Sequence, residues 1–380
     1  MKKYIGLILF AIAVSSCIYP FEAEFSNNAP DRLVIYGDIL IGEQTQIDLG
    51  YVMSLGKGAN TTNLHYPSGS VVVENDRGRF FTGSRVKRGR YVVNTSTAPA
   101  DARYRLVVKL DDGREFTTPW ADVMQAPEIT DVSYIIDDNN LILQCSMDGR
   151  DSIRHFCWDY DEVWEYHAYF IPTVVYANGL FVERENYNYY YYCWNTRSSL
   201  EPCILSAEAQ ADNKIENCAF LTIPRTDYRL SKLYSITISA KGLTSNAKAY
   251  LEHQISISNN TGDLFSPIPS EMRGNVSCTG NPDDQAIGYV SVCERSSRRM
   301  FIGSAGIYTR PFDPETLLFY PERDEDGYHF NELFLTCSPV DYTGESPNAT
   351  NVRWGDKICT DCRAWGGTKT KPAWWPNDDV

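Results

Sequence analysis

Between Arg32 and Trp120, apolar and polar positions alternate in short runs, each closed nearby by Gly, Asn, Asp or Pro. The runs Leu33 to Tyr36, Gln46 to Leu49, Val71 to Val73, Arg79 to Thr82, Tyr91 to Val93, Tyr104 to Leu110 and Glu115 to Thr117 read as strands, because a period of two puts every second side chain on one face. Asn75-Asp-Arg-Gly78 and Asp111-Asp-Gly113 supply hairpin turns. About seven strands with no helical period predict a small β-sandwich over residues 31–122.

The same pattern resumes at Pro127 and predicts a second sandwich-like module over residues 126–270. Ile129, Val132, Tyr134 and Ile136 lead into an Asp137-Asp-Asn-Asn140 turn, and Leu141, Leu143 and Cys145 alternate on the return. His155 to Phe170 continues as an aromatic strand. Asn186 to Trp194 then places five tyrosines within six residues, and a period of two sends them to both faces. One face can pack on a core; the other needs a cover from a neighbouring domain, a partner or a stacked ligand. Only Thr244 to Ile255 changes period: Thr244 or Ser245 can cap, and Ala247, Tyr250 and Leu251 share a helical stripe. Residues 271–380 return to short strands, including Ala286 to Cys293, Arg299 to Ile302 and Phe330 to Cys337, and are expected as a loop-rich β region packed on the second module. The fold class is thus mainly β: tandem immunoglobulin- or fibronectin-like sandwiches, one helix, and a disulfide-containing C-terminal region.

The start of the chain differs in kind. Lys2 and Lys3 precede an apolar run from Tyr4 to Val14, which closes on Val14-Ser-Ser-Cys17. The run has the length of a signal-peptide core and falls short of the ~20 residues that cross a bilayer as a helix. Its closing tetrapeptide resembles the bacterial lipoprotein box, which implies a signal peptide over residues 1–17 and acylation of Cys17. Several acyl chains on one residue anchor stably where a single chain is marginal. Residues 18–30 then read as a tether.

Composition narrows the possible partners. A formal net charge of -14 argues against nucleic acid, which needs clustered Lys and Arg. Eleven cysteines leave ten once Cys17 carries lipid, enough for up to five bridges in an oxidising compartment. Cys278 with Cys293, across a turn, and Cys193 with Cys203 are plausible local pairs. Cys337, Cys359 and Cys362 are also disulfide candidates, since the Cys359-Thr-Asp-Cys362 spacing lacks the strand-helix-strand setting of a redox motif.

No motif assigns a reaction. Five histidines are scattered, and none falls in a zinc-peptidase pattern. Gly303-Ser-Ala-Gly306 has the wrong spacing for a nucleophile elbow. Asp324-Glu-Asp-Gly327 lacks a spaced calcium-ligand series. Asp159, Asp161, Glu162 and Glu165 contain the raw material of a glycosidase pair, but sequence fixes no separation between them. No catalytic residue, metal or cofactor is expected. The exposed-aromatic candidates for ligand or partner contact are Tyr187, Tyr189, Tyr191, Trp374 and Trp375, with inter-domain packing as the competing use of the tyrosines.

Several stretches in order carry a resemblance: the lipoprotein box, Arg32-Leu-Val-Ile-Tyr-Gly-Asp-Ile, Leu264-Phe-Ser-Pro-Ile-Pro-Ser270 leading into Arg273-Gly-Asn-Val, Ile287-Gly-Tyr-Val, Arg299-Met-Phe-Ile, and the closing Cys359-Thr-Asp-Cys-Arg-Ala-Trp-Gly-Gly-Thr-Lys-Thr-Lys-Pro-Ala-Trp-Trp375. From Met1 to about Trp375 the chain resembles a family of Bacteroidota outer-membrane lipoproteins of unknown function, often encoded beside TonB-dependent receptors. The resemblance implies an accessory or binding lipoprotein on the cell-surface or periplasmic face of the outer membrane, next to a receptor barrel. It supplies no catalytic residues. Two other readings stay open: a surface hydrolase acting on glycans or peptides, and an adhesive or structural surface subunit.

Overall fold

The computed structural model describes residues 32–52, 66–185, 191–210, 212–260, 274–281, 283–323, 325 and 328–376. Cys17, the tether, Tyr187, Tyr189, and the stretch from Leu264 to Ser270 lie outside the described residues.

The first sandwich takes its strands from β1 (Leu33–Tyr36), β2 (Ile39–Leu40), β3 (Gln44–Tyr51), β4 (Gly69–Asn75), β5 (Phe80–Lys87), β6 (Arg90–Asn94), β7 (Tyr104–Leu110) and β8 (Glu115–Thr117). Both expected hairpin turns form, with Gly78 and Gly113 at positive φ. The sheet curls on itself at β5, whose first residues pair with β4 and whose later residues pair with β6. Gly83 sits at that changeover, where a Cβ would meet the Val71 carbonyl oxygen at 3.0 Å. Alternate residues point inward as the period of two requires: Ile47 and Leu49, Val71 and Val73, Tyr91 and Val93, and Tyr104, Leu106 and Val108 form one core. The buried hydroxyls of Thr45 and Thr95 bond each other at 2.9 Å, and Thr95 also donates to the Leu40 carbonyl, so that core holds no stranded hydroxyl at this point.

The second sandwich contains β9 (Glu128–Asp137), β10 (Asn140–Asp148), β11 (His155–His167), β12 (Val174–Ala177), β13 (Leu180–Glu183), β14 (Tyr192–Ser198), β15 (Cys203–Ser206), β16 (Lys214–Pro224) and β17 (Leu233–Leu243), and the helix α1 (Ser245–Asn260) follows. One layer is β16-β10-β9; the other is built on β11 and β17, with β14 and β15 in succession along the free edge of β11. Leu141, Leu143, Cys145 and Met147 from one layer meet Trp158, Trp164, Tyr234, Ile236 and Ile238 from the other. Thr244 caps α1 by accepting from the Ala247 N–H at 3.2 Å, and Ala247 and Tyr250 are buried beneath it as the stripe predicts.

The C-terminal region divides differently from the expected boundary at 271. Residues from Gly274 through β18 (Ser277–Cys278) and β19 (Val292–Cys293) return to the first sandwich: β18 extends its sheet beside β8, β19 lies parallel to β2, and Val276, Ala286 and Val290 enter its core. Then β20 (Ser296–Gly303) adds to the second sandwich beside β17. The reason is apolar: Val276, Ala286, Val290 and Val292 would be left exposed if this segment packed elsewhere. Phe330 to Thr336 is helical (α2, Phe330–Thr336) where a strand was expected. Its aromatic residues close over Trp354 in a satellite core formed with β12, β13, β21 (Cys337–Tyr342) and β22 (Val352–Asp356), so tertiary packing overrides local β preference. The short helix α3 (Lys357–Thr360) follows. No described helix is long and apolar enough to cross a membrane.

The sandwiches meet at a half-buried ion pair, where the Lys241 ammonium donates to Asp38 and Asp38 also accepts from the Ser291 N–H at 3.1 Å. Burial opposes the charge on Lys241, but Asp38 more than offsets it and keeps the lysine protonated.

Candidate functional site

The site lies where β11 ends. Tyr166 faces Cys193 and His167 faces Tyr192 across the β11–β14 pair. Cys193 is bridged to Cys362, 169 residues later, which clamps the C-terminal segment over this end of the sandwich as a strap. The strap turns at Cys362–Trp365, with Asp361 capping the Arg363 N–H at 2.9 Å, and then runs beside β14, exchanging two hydrogen bonds between Trp194 and Thr368. Gly367 is required where the strap crosses the bridge: a Cβ there would stand 2.3 Å from the Tyr166 hydroxyl and 2.9 Å from the Cys193 Cβ. The Tyr166 hydroxyl donates to the Cys362 carbonyl and ties the strap down again.

Beneath the strap is a recess of about 350 Å³, within the range of small-molecule sites. Tyr228 forms much of one wall, edge-on to Tyr166 at 5.6 Å and tilted against Trp365 at 4.7 Å. Tyr169, Tyr191, Tyr308, Lys232 and Arg310 complete the mouth, with Ser231 and Ser304 between them. Burial pushes Tyr166 and Tyr308 up to about 12 and raises Tyr169, Tyr191 and Tyr228, so the phenols are protonated donors at neutral pH. The Arg310 charge opposes this rise at Tyr169, Tyr191 and Tyr308, which puts one guanidinium within electrostatic reach of three hydroxyls.

An aromatic surface continues outward from the recess. His167 packs on Tyr191 at 4.7 Å and on Tyr192 at 4.6 Å. Glu165 bonds His167 at 2.8 Å and accepts from the Trp375 indole at 3.0 Å. Trp375 lies against Trp374, which is 41% exposed and covered by the Arg299 guanidinium at 3.4 Å. The structure therefore brings Tyr191, Trp374 and Trp375 to one side of the sandwich. It also corrects the expectation for Trp375 as an exposed aromatic: at 4% exposure, with its indole N–H donated to Glu165, this residue pins the strap.

The expected cysteine pairs give way to the Cys193–Cys362 bridge. Cys193 lies opposite Tyr166 and Cys203 opposite Trp158, eight positions away on β11, which puts them roughly 26 Å apart. Cys278 and Cys293 join opposite ends of the first sandwich, one beside β8 and the other beside β2. Cys203, Cys278, Cys293, Cys337 and Cys359 are free thiols. Burial pushes Cys359 up to about 11.

Three of the four carboxylates considered for glycosidase work are engaged, while burial raises the fourth, Asp159, above the ordinary carboxylate range. Glu162 is 1% exposed and takes Arg229 at 2.6 Å and the Tyr234 hydroxyl at 2.8 Å; Asp161 accepts from Ser198; Glu165 holds His167 and Trp375. Among the described residues no group of three or more His, Cys, Asp or Glu could hold a metal ion. Asp324, Asp326 and Gly327 of the acidic loop lie outside the described residues. Sequence reasoning missed Tyr228, Lys232, Tyr308 and Arg310, which sit in turns far apart in the chain. A larger cleft of about 580 Å³ lies between the sandwiches and α1, lined by Gly242, Tyr250, His253 and Tyr289.

A family described as a domain of unknown function, DUF4249, matches residues 18–299. This chain belongs to that family. The DUF4249 match covers Tyr166, Tyr191 and Lys232 but ends before Tyr308, Arg310 and the strap, so the recess combines residues from inside and outside it. No curated protein matches the chain. Among solved structures, the central fibronectin-III array of RIM-binding protein is similar over 58% of this chain at 14% identity, with a TM-score of 0.14. This chain spans just under two thirds of that array, 66% of its length.

Proposed function

We propose that this DUF4249 protein is a lipid-anchored, non-enzymatic binding component of the outer membrane of a Bacteroidota cell, held through Cys17 and working beside a TonB-dependent receptor barrel. The observation that carries the binding part is the aromatic side of the second sandwich, where Tyr191 lines a recess and packs on the half-exposed Tyr192, with Trp374 further along the strap against Trp375. Aromatic side chains with a polar tip are what recognition surfaces use when one face must be apolar and the other wet. The anchor rests on the signal-like run ending at Cys17, and the barrel on the family resemblance of the sequence. A glycan hydrolase of the usual kind would need two carboxylates converging on its substrate. The described residues lining the recess include none.

The test is a gentle-detergent pull-down of the tagged protein from its native membrane, wild type against Tyr191→Ser with Trp374→Ser. The wild type is expected to bring down a stoichiometric barrel, and the variant, equally folded and equally anchored, to bring down much less. Recovery of the wild type alone would remove the barrel, and self-association of the protein would favour the adhesive reading instead.

A further inference from the structure

We propose that the recess beneath the strap binds a small organic anion that presents a flat ring, such as a carboxylated or sulfated aromatic or sugar ring. This rests on the reading of the strapped end as a binding surface and goes on to name the ligand class. The first observation is the chemistry of the lining. Lys232 and Arg310 supply two cations, the tyrosines and Ser231 and Ser304 supply hydroxyls, and among the described residues that line it there is no carboxylate or carboxamide. Such a lining carries two donor-only cations with no opposing negative charge among its described residues, which suits an anionic ligand over a neutral sugar.

The second observation is that both cations are unspent. Most arginines around the site are committed: Arg229 to Asp227 and Glu162, Arg363 to Asp361, and Arg299 to the Trp374 ring. Among the described residues Lys232 and Arg310 have no hydrogen-bond or ion-pair partner. Asp227, the acid nearest this wall in sequence, is neutralised by Arg229 at 2.8 Å. In a chain of net charge -14, two unpaired cations at the mouth of one aromatic recess form a local positive site on an acidic background. His167 adds a third unmet group, since its Nδ1 has no partner among the described residues while its Nε2 faces Glu165.

The aromatic walls define the other half of the ligand. Tyr228, Trp365 and Tyr191 offer ring faces and edges around a space of about 350 Å³, enough for one or two rings but not for a folded partner. A ring stacked on tyrosine with its anionic group at Arg310 would satisfy both halves together.

The experiment is a calorimetric titration of the detergent-solubilised full chain with four probes: 4-hydroxybenzoate and its neutral amide, and galacturonate and galactose. At least one anion is expected to bind saturably and at least tenfold more tightly than its neutral partner, and the ring that does so distinguishes an aromatic acid from an acidic sugar. Replacing Arg310→Gln and Lys232→Gln together is expected to weaken that anion by roughly ten- to a hundredfold, the range for hydrogen bonds to charged groups, with no change in melting temperature. Tyr308→Phe is expected to weaken it less. Equal binding of anion and neutral partner, no saturable binding of any probe, or an anion affinity untouched by the double variant would each overturn the proposal. The barrel pull-down with the same double variant separates the two readings: retained capture with lost anion binding confines the cations to the ligand, and lost capture with no anion binding assigns them to the partner surface and overturns the ligand.

Discussion

Removing the Cys193–Cys362 bridge should loosen the strapped end of the second sandwich more than any other part of the molecule. The bridge closes a loop spanning 169 positions of the sequence, and the loss of loop-closure entropy for such a loop gives an upper value of about 5 kcal/mol at 25 °C. Denatured chains retain structure, so about 2–4 kcal/mol is the working expectation. Both cysteines are fully buried, which makes Cys193→Ala with Cys362→Ala a better replacement than serine, whose hydroxyl would have no partner. Without the bridge the strap keeps the Tyr166–Cys362 hydrogen bond, the Tyr228–Trp365 contact and the Trp194–Thr368 pair, so it should detach locally before the sandwich unfolds. Hydrogen exchange measured by mass spectrometry reads this directly, with protection expected to fall in peptides from Cys359 to Trp375 and in β14, while β3 to β7 stay as they were. A urea transition moved by less than about 1 kcal/mol, together with unchanged exchange in the strap, would refute the assignment of the bridge as the clamp.

Other consequences can be checked separately. Arg229→Met leaves the buried Glu162 with only the half-exposed Arg197 at 3.9 Å as counter-charge and should cost about 3–5 kcal/mol; Arg229→Met with Glu162→Gln should recover part of that loss in the same urea titration, and no recovery would show that packing, not charge, sets the cost. Burial alone would raise the Glu165 carboxyl, but hydrogen bonds from His167 and Trp375 outweigh it and hold it below the ordinary 4.5. Its contribution to stability is then complete above about pH 4.5 and is lost as pH falls through the lower folded value, so a fluorine-labelled Trp375 should report release of the strap on acidification, and Glu165→Gln should abolish that step.

The fold class was legible because a period of two leaves a direct trace, and the alternation through Val71, Val73, Tyr104, Leu106 and Val108 is what buries one face. Helix α1 was legible for the same reason, its cap and stripe both lying within a dozen residues. The return of residues 274–293 to the first sandwich was not, since short apolar clusters such as Val290 and Val292 do not say which sheet edge they complete. Cysteine spacing misled because strand order, not distance along the chain, decides which thiols meet: Cys193 and Cys203 are neighbours in sequence and share an edge of β11, yet they sit at separate places along it. Of the tyrosine run, Tyr191 lines the recess. The recess itself is assembled from turns near Tyr228, Lys232, Tyr308 and Trp365, and no local pattern marks residues that only the tertiary fold brings together.

If the strapped aromatic side is where this protein meets its partner, a photo-crosslinking amino acid should report it in the native membrane. The probe would replace Tyr192, 37% exposed beside the recess, and in a second strain Ile135, 49% exposed on β9. Crosslinks to a single membrane-embedded barrel from position 192, and none from 135, are the expected result. A partner captured from position 135 and not from 192 would contradict it, and would place recognition on the exposed apolar end of β9.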